Sequence, residues 1–458
     1  MAICTTTTAS QLQSSFIRLD AEFFRPEYMV AALRLNSIPG VTQLGRFASR
    51  ITQGSNPRFV SHGVPCVNGK NVYFGTMLEG EPNYVSAAEY ERLSGYSLQR
   101  NDLVITLKHA TKVGRVWIVE DDEPRIFSRN VGLVRLRDDS PIRHSVLLLY
   151  LWTKAGQLLI DRCATGGTTG QITLPMSELR RVPIPPITDK DQDEIDALFS
   201  LSRKSAALAV SQHHSACRIL ESELGLDKLI FQKPVGFIAQ FSEALNSKRI
   251  DADYFQTPFR QIDDHLDKYS TAKLHTLVDI VKGIEVGSSA YKTEGHPFLR
   301  VSNIKETGIE LGPSDKYISP ALYAALQSYR PQIGELLLTK DGSPGVAMAV
   351  DQDCDGIISG GVVRLKPKTD EIPIEYLALA INSRACRMQI ERECSGALIL
   401  HWKPSLIRKL RIPVLPAQVM YKIAELVTEA KRARRKSDEL LDQAKTRVEQ
   451  LIEAAVQP

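Results

Sequence analysis

Hydrophobic positions along the chain switch between two periods. Short aliphatic and β-branched runs are bounded by Gly, Pro and Asn, and they alternate with short helical patterns. The pattern predicts strands at 103–107, 115–119, 132–136, 335–339 and 361–365, and helices at 86–93, 146–160, 320–327 and 374–392. The chain is therefore expected to contain two mixed α and β globules of roughly 150 residues each.

A long helical pattern follows each globule, after the Pro-rich stretches at 183–186 and 413–416. Apolar and small residues recur there at steps of three and four, which is typical of a helix that packs along a partner. The first seam consists of Ile195, Leu198, Ser202, Ser205, Ala209, Gln212, Ala216, Ile219 and Leu220. The second consists of Ile423, Leu426, Ala430, Ala433, Ser437, Leu440, Ala444, Val448, Leu451 and Ala455. Because both seams include polar members, we expect 189–224 and 416–455 to form an antiparallel coiled pair.

The two halves of the chain are copies of one plan. Arg18 to Phe24 (RLDAEFF) returns as Arg249 to Phe255 (RIDADYF), 231 residues later. Further matches follow in the same order, pairing 63–72 with 295–304, 84–86 with 317–319, 101–106 with 334–339, and 179–185 with 407–413. A period of half the chain indicates a duplicated domain and not a solenoid of short repeats. In the repeated motif we expect a helix start with packed aromatic residues, and not a catalytic acidic pair.

Composition narrows the class of protein only slightly. With 43% hydrophobic and 24% charged residues and a net charge of +4, the chain is globular and mildly basic. The seven cysteines lack CxxC spacing, so we expect reduced thiols in a cytoplasmic protein. No apolar run is long enough to predict a membrane span.

Three segments of the second half carry a family resemblance: 297–304 (PFLRVSNI), 334–342 (GELLLTKDG) and 407–413 (IRKLRIP), the last leading to Gln418. With these motifs and the alternation of globule and long helix, the chain resembles the specificity subunits of type I restriction-modification systems over nearly its whole length. The first half departs from the pattern, with 65–70 (PCVNGK) and 106–109 (TLKH) in the corresponding places. Its assignment depends on the repeat more than on motifs.

The resemblance implies an α+β fold with two pseudo-repeated target recognition domains separated by two long antiparallel coiled-coil helices. It implies an N-terminal segment at 1–38, target recognition domains at 39–187 and 269–415, a central helical region at 188–228, a linker with the start of the second repeat at 229–268, and a C-terminal helical region at 416–458. Such a chain would read a bipartite, asymmetric target in double-stranded DNA without catalysing a reaction. Two methyltransferase subunits and the restriction or motor subunits would be its partners. S-adenosylmethionine would bind to the methyltransferase partner, and this chain would hold no cofactor or metal of its own.

Residues that could read DNA are basic and amide or hydroxyl side chains in loops, because phosphates attract cations and base edges pair with amides and guanidinium groups. In the first half these are Lys70, Asn71, Lys108, Lys112, Arg129, Thr168, Thr169 and Gln171. In the second half they are Arg300, Ser302, Asn303, Lys340, Ser343, His401 and Lys403. For Trp402 we favour a packing role over a stacking platform. The basic run 431–436 is expected to be a solvated helix face.

Other function classes remain open at this point. The chain has no phosphate-binding loop, HExxH, GxGxxG or GxSxG motif, which disfavours an enzyme. A recognition subunit of a related type II or other phage-defence methylation system would carry the same features. A helical scaffold with ligand-binding globules is a third possibility, and the salt dependence of duplex binding would distinguish it.

Overall fold

The structure is a computed structural model of the 458-residue chain. It describes residues 21–73, 82–166, 170–231, 236–312, 315–394 and 400–456. Two compact units are present: a first unit of 1–204 with 436–458, and a second unit of 205–435. The division falls within the two long helices, so each unit combines one globule with part of both helices.

The first unit contains six short helices and twelve strands within the described residues. The helices are α1 (Pro26–Asn36), α2 (Leu44–Phe47), α3 (Ala87–Arg92), α4 (His144–Trp152), α5 (Lys154–Cys163) and α6 (Met176–Arg181). The strands are β1 (Thr42–Gln43), β2 (Ala48–Gln53), β3 (Val64–Val67), β4 (Asn83–Val85), β5 (Leu103–Thr106), β6 (Lys108–His109), β7 (Val116–Ile118), β8 (Ile126–Phe127), β9 (Val131–Leu136), β10 (Thr165–Gly166), β11 (Ile172–Thr173) and β12 (Pro183–Ile184). Short 3-10 helices lie at Ala21–Phe24, Gly69–Asn71 and Ser94–Tyr96. The long helix α7 (Asp189–Glu223) follows and continues into the second unit.

The second unit repeats this order. Its helices are α8 (Phe241–Ser247), α9 (Thr257–Leu266), α10 (Leu274–Leu277), α11 (Pro320–Ala325), α12 (Ile374–Asn382), α13 (Arg384–Glu393) and α14 (Pro404–Ile407), followed by the long α15 (Ala417–Val456). Its strands are β13 (Thr271–Lys273), β14 (Val278–Lys282), β15 (His296–Leu299), β16 (Ile304–Lys305), β17 (Gly308–Ile309), β18 (Tyr317–Ile318), β19 (Leu336–Thr339), β20 (Asp341–Gly342), β21 (Ala347–Ala349), β22 (Ile357–Ile358), β23 (Val362–Pro367), β24 (Leu400–His401) and β25 (Arg411–Pro413). Short 3-10 helices lie at Leu226–Lys228, Ala252–Phe255, Ser288–Ala290, Val301–Asn303 and Gln327–Tyr329.

The two main sheets have the same topology in both units. The central antiparallel sheet has the order β2-β9-β5-β7 in the first and β14-β23-β19-β21 in the second. A smaller sheet, β4-β3-β8 or β18-β15-β22, contains one parallel pair. The register also repeats, since Thr106 is paired with Val131 and Thr339 with Val362. The mixed α and β globules predicted from the sequence are confirmed.

Each central sheet is covered by two helices where the sequence pattern predicts a single one. In the first unit the predicted helix 146–160 breaks at Thr153, whose hydroxyl accepts a hydrogen bond from Gly156 N and so caps α5. In the second unit the break falls at Ser383, between α12 and α13. Hydrophobic periodicity does not reveal a helix cap when the apolar pattern continues across it, because the cap depends on one hydroxyl and the periodicity on many positions.

The repeated motif forms a 3-10 turn in each unit, at Ala21–Phe24 and at Ala252–Phe255. Phe24 and Phe255 are buried, and each has an edge-to-face contact with the aromatic residue before it. A regular helix starts two residues later. The aromatic residues therefore pack as expected, and positions 18–20 lie outside the described residues.

The two long helices pair in an antiparallel direction. Within the first unit Ser202 Oγ donates to Ser437 O at 2.8 Å, and Arg447 forms ion pairs with Asp191 and Glu194 at 2.8 and 3.1 Å. Within the second unit, Ala216 and Leu220 share a core with Ile423 and Val427. The predicted pair is confirmed along most of both seams. At the end of α15 the buried position is Ile452, and Ala455 is exposed.

No described helix has the length and apolar character to cross a bilayer. The six cysteines of the described part of the chain are free thiols. Burial raises the pKa of Cys66 to about 12 and that of Cys354 to about 11, so these thiols are protonated at neutral pH.

A buried ion pair anchors β9 to the loop before β5. Asp102, 1% exposed, lies 2.7 Å from Arg135 Nε and also accepts a hydrogen bond from Gln99 N. We expect Asp102→Ala to lower the free energy of unfolding by about 3 kcal/mol or more, because it leaves a half-buried guanidinium group without its partner. Urea unfolding of the full chain measures this. Asp122→Ala, which breaks an exposed ion pair with Arg100, is the control and should leave the transition unchanged.

The helix seam generates a second prediction. Ile195 is fully buried where α7 packs in the first unit, whereas Leu201 on the same helix is 50% exposed. Ile195→Ala should destabilise the chain by about 2 to 5 kcal/mol through lost burial and a residual cavity. Leu201→Ala should change the unfolding midpoint little. Equal effects of the two substitutions would contradict the observed packing of the helix pair.

Candidate nucleic-acid interface

Three loop segments meet at one end of the sheets in the first unit. They are the turn 68–71 after β3, the end of β5 at 107–108, and the connection 128–130 between β8 and β9. Ser128 N donates to Val67 O at 2.9 Å, and Leu107 N donates to Asn130 O at 2.8 Å. Gly69 fits closely here, since a Cβ on it would lie 3.2 Å from Lys108 O. Backbone contacts therefore hold these segments, which we call the first junction.

The second unit builds the same arrangement from 300–303, 340–341 and 359–361, which we call the second junction. Ser359 N donates to Leu299 O at 2.8 Å, and Lys340 N donates to Gly361 O at 2.9 Å. A Cβ on Gly361 would lie 2.8 Å from Val301 Cγ2, so close packing favours glycine at this position. The two junctions thus share a backbone framework.

Two predicted DNA-reading residues belong to that framework. Asn71 is 3% exposed, and its side-chain oxygen accepts a hydrogen bond from Asn68 N at 3.1 Å. Asn303 is 1% exposed, accepts from Arg300 N at 2.9 Å, and donates to Glu310 O at 3.0 Å. Because these buried amides satisfy the turn itself, we assign both residues to the framework. This corrects the expectation that they face a ligand.

The other predicted residues of the first unit divide by their contacts. Lys70, Arg129 and Gln171 are exposed, and Lys108 is half-buried at the junction. Lys112 instead forms a 2.5 Å ion pair with Asp161 on α5, which holds it against that helix. Thr168 and Thr169 lie outside the described residues.

A short strand ladder borders each junction. In the first unit Lys108 of β6 is paired with Thr173 of β11, and β10 continues the ladder beyond β11. In the second unit Asp341 of β20 is paired with His401 of β24. The predicted residue Gln171 immediately precedes β11, so the ladder brings it near Lys108.

The second junction centres on a carboxylate. Asp341 lies 2.5 Å from Lys340 Nζ and 2.8 Å from His401 Nδ1. Burial acts to raise the pKa of Asp341, but hydrogen bonds from Lys340 and His401 outweigh it and leave that pKa below its usual value. Asp341 is therefore ionised at neutral pH, and it neutralises the charge that sequence reasoning assigned to Lys340.

The remaining predicted residues of the second unit differ in exposure and contacts. Ser302, Ser343 and Lys403 are exposed, and Arg300 lies 3.7 Å from Asp315 across the turn. Trp402 is 2% exposed and belongs to the core of the second unit, which confirms the packing role expected for it. In the described part of the chain, no group of three His, Cys, Asp or Glu side chains could hold a metal ion.

Sequence reasoning missed the importance of Asp341. Extending the repeat alignment of 101–106 with 334–339 by two residues would have placed Lys108 opposite Asp341 and revealed the change of charge.

Part of the basic run 431–436 was also wrongly predicted to be solvated. Lys431 is mostly buried and donates to Ala349 O at 3.0 Å, and Arg435 lies 2.9 Å from Asp351, so both fasten α15 within the second unit.

No protein-family model and no curated protein matches the chain. Among solved structures, the chain is similar to the type I restriction-modification system S subunit from M. genitalium, with 12% identity, a TM-score of 0.45, and coverage of 92% of this chain and 97% of that one. It is similar to the HsdS subunit from Thermoanaerobacter tengcongensis, with 14% identity, a TM-score of 0.27, and coverage of 91% and 95%. A structure describing complex assembly and conformational transition of the type I R-M system has 13% identity, a TM-score of 0.28, and coverage of 92% and 98%. All three of these solved structures are described as parts of type I restriction-modification systems.

Proposed function

We propose that this chain is the DNA-specificity subunit of a type I restriction-modification complex in the bacterial cytoplasm. It reads a bipartite, asymmetric target in double-stranded DNA, with one recognition domain in each unit. Methyltransferase and restriction subunits are its partners, and the methyltransferase subunits supply S-adenosylmethionine chemistry. The chain itself is not catalytic.

One observation carries the proposal: a single chain presents the same junction twice, with different exposed side chains. A shared framework with variable exposed residues is what two readers of unequal half-sites require, because phosphate contacts position a domain and side chains at base edges specify the sequence. Lys70, Lys108 and Arg129 give the first junction the cations that phosphates attract.

The paired helices support the docking of partners. Apolar side chains are exposed on α7, among them Leu201, Leu208 and Val210, each about half exposed. Such side chains favour a protein partner along the helix.

Binding of the full chain to duplex DNA tests the proposal. Cations that contact phosphates displace counterions from the DNA. We therefore expect the affinity to fall by roughly 10³-fold or more as the salt concentration rises from about 50 to about 200 mM. Fluorescence anisotropy with a labelled pool of random duplexes measures it. Binding that is absent or insensitive to salt would end the DNA-reading proposal.

The first junction gives a sharper form of this test. The double substitution Lys70→Gln with Arg129→Gln should reduce the slope of log affinity against log salt by up to about 1.8, the value for two phosphate contacts. Lys190→Gln, an exposed lysine on α7, is the control for loss of charge and should leave the slope unchanged. Similar slopes for all variants would remove the first junction from the interface.

A further inference from the structure

Three solvent-accessible positions occupy equivalent places in the two junctions and differ in charge. In the turn, Lys70 corresponds to Ser302. At the end of the central strand Lys108 corresponds to Asp341, and in the connection before β9 or β23 Arg129 corresponds to Gly360. At these positions the first junction has three cations and the second has one carboxylate. The cations of the second junction, Arg300 and Lys340, lie at neighbouring positions.

Backbone pairing fixes the central correspondence without reference to side chains. Thr106 is paired with Val131 and Thr339 with Val362, so the residues two places further along are Lys108 and Asp341. Each of these also starts the short strand of the bordering ladder. The reversal of charge thus occurs at one point of a common framework.

Asp341 is held in a fixed orientation. Lys340 Nζ contacts Oδ2 at 2.5 Å, and His401 Nδ1 contacts Oδ1 at 2.8 Å. A carboxylate has roughly four acceptor positions, so two hydrogen bonds leave it able to accept others. Its side chain is 24% exposed and that of His401 is 57% exposed, so the remaining positions can be reached from solvent.

A fixed carboxylate at a DNA interface repels phosphate and selects a donor. In the major groove the donors are the exocyclic amino groups, N4 of cytosine and N6 of adenine. A lysine at the same point selects the acceptors N7 and O6 of guanine. The two junctions are therefore suited to opposite base edges.

We propose that Asp341, oriented by His401, accepts a hydrogen bond from an exocyclic amino group of the base pair it reads, while Lys108 donates to a guanine at the equivalent point of the other half-site. The proposal rests on the DNA-reading function above. It assigns one base contact to each unit, with a protein donor in the first unit and a protein acceptor in the second. Within the chain, Asp341 also neutralises Lys340, and a role confined to that ion pair is the competing explanation.

The full chain and each variant are used to select duplexes from a random pool, and the selected sequence motifs are compared. The wild-type chain should select a two-part motif. Asp341→Ala, which removes the acceptor, should lose the preference at one position of one half, and Lys108→Gln should alter only the other half. Asp279→Ala, at an exposed carboxylate of the same unit, is the matched control and should select the wild-type motif. Thermal melting of each variant verifies that it is folded.

A second experiment changes the DNA and uses only the wild-type chain, so its result does not depend on the folding of an Asp341 variant. At the position assigned to Asp341, adenine is replaced by purine, or cytosine by 2-pyrimidinone, so that only the amino group is removed. The wild-type chain should lose roughly 5- to 150-fold in affinity. Which of the two bases the motif contains identifies the donor.

The outcomes distinguish a failure of the proposed DNA-reading function from a failure of the proposed base contact. If the wild-type chain selects no motif, the DNA-reading function itself is wrong. If it selects a motif that folded Asp341→Ala also selects, or if removing the amino group leaves affinity unchanged, the contact is wrong and the function stands. Loss of stability in Asp341→Ala without a change of motif would assign Asp341 to the ion pair alone.

Discussion

Backbone hydrogen bonding at the end of the central sheet is the constraint on which each unit depends. The connection before β9 bonds to the residue after β5 and to the end of β3, and the connection before β23 does the same with β19 and β15. These bonds use main-chain groups, so the three segments meet whatever their exposed side chains are. Glycines at 69 and 361 permit the close approach. The exposed side chains at this end of the sheet can therefore differ while the backbone framework stays the same.

Much of this architecture could be predicted from the sequence, because it depends on patterns that repeat. Strand positions, the duplicated halves and the helix seams all follow from periodicity and self-similarity. The break at Thr153 could not be predicted, since it depends on the cap that a single hydroxyl provides at the end of an apolar run. The break at Ser383 has no such cap and interrupts a helical pattern that continues on both sides of it. Asn71 and Asn303 were misread for a related reason: residue type does not reveal whether an amide caps a turn or faces solvent.

The role of the polar residues in the helix seams is visible only in the structure. Ser202 and Ser437 are 1% and 5% exposed and bond to each other within the first unit. A buried polar pair contributes less to stability than apolar packing, but it penalises any register in which the two serines fail to meet. We infer that this pair specifies the alignment of the helices, whereas Ile195 and Val448 supply the apolar burial.

Under the proposed DNA-reading function, the difference in charge at the equivalent positions would give the two junctions different roles in binding. Electrostatic attraction to phosphates does not depend on sequence, so cations at the first junction would raise affinity for every duplex. The acceptor positions of Asp341 that Lys340 and His401 leave free would lose hydration against a duplex that offers them no donor, and this loss would lower the affinity for that duplex. Discrimination would then arise from that penalty as much as from the bond formed with the correct base. A cation in place of Asp341 would bind more tightly and select less well, so the acidic residue at 341 would serve to reject wrong sequences.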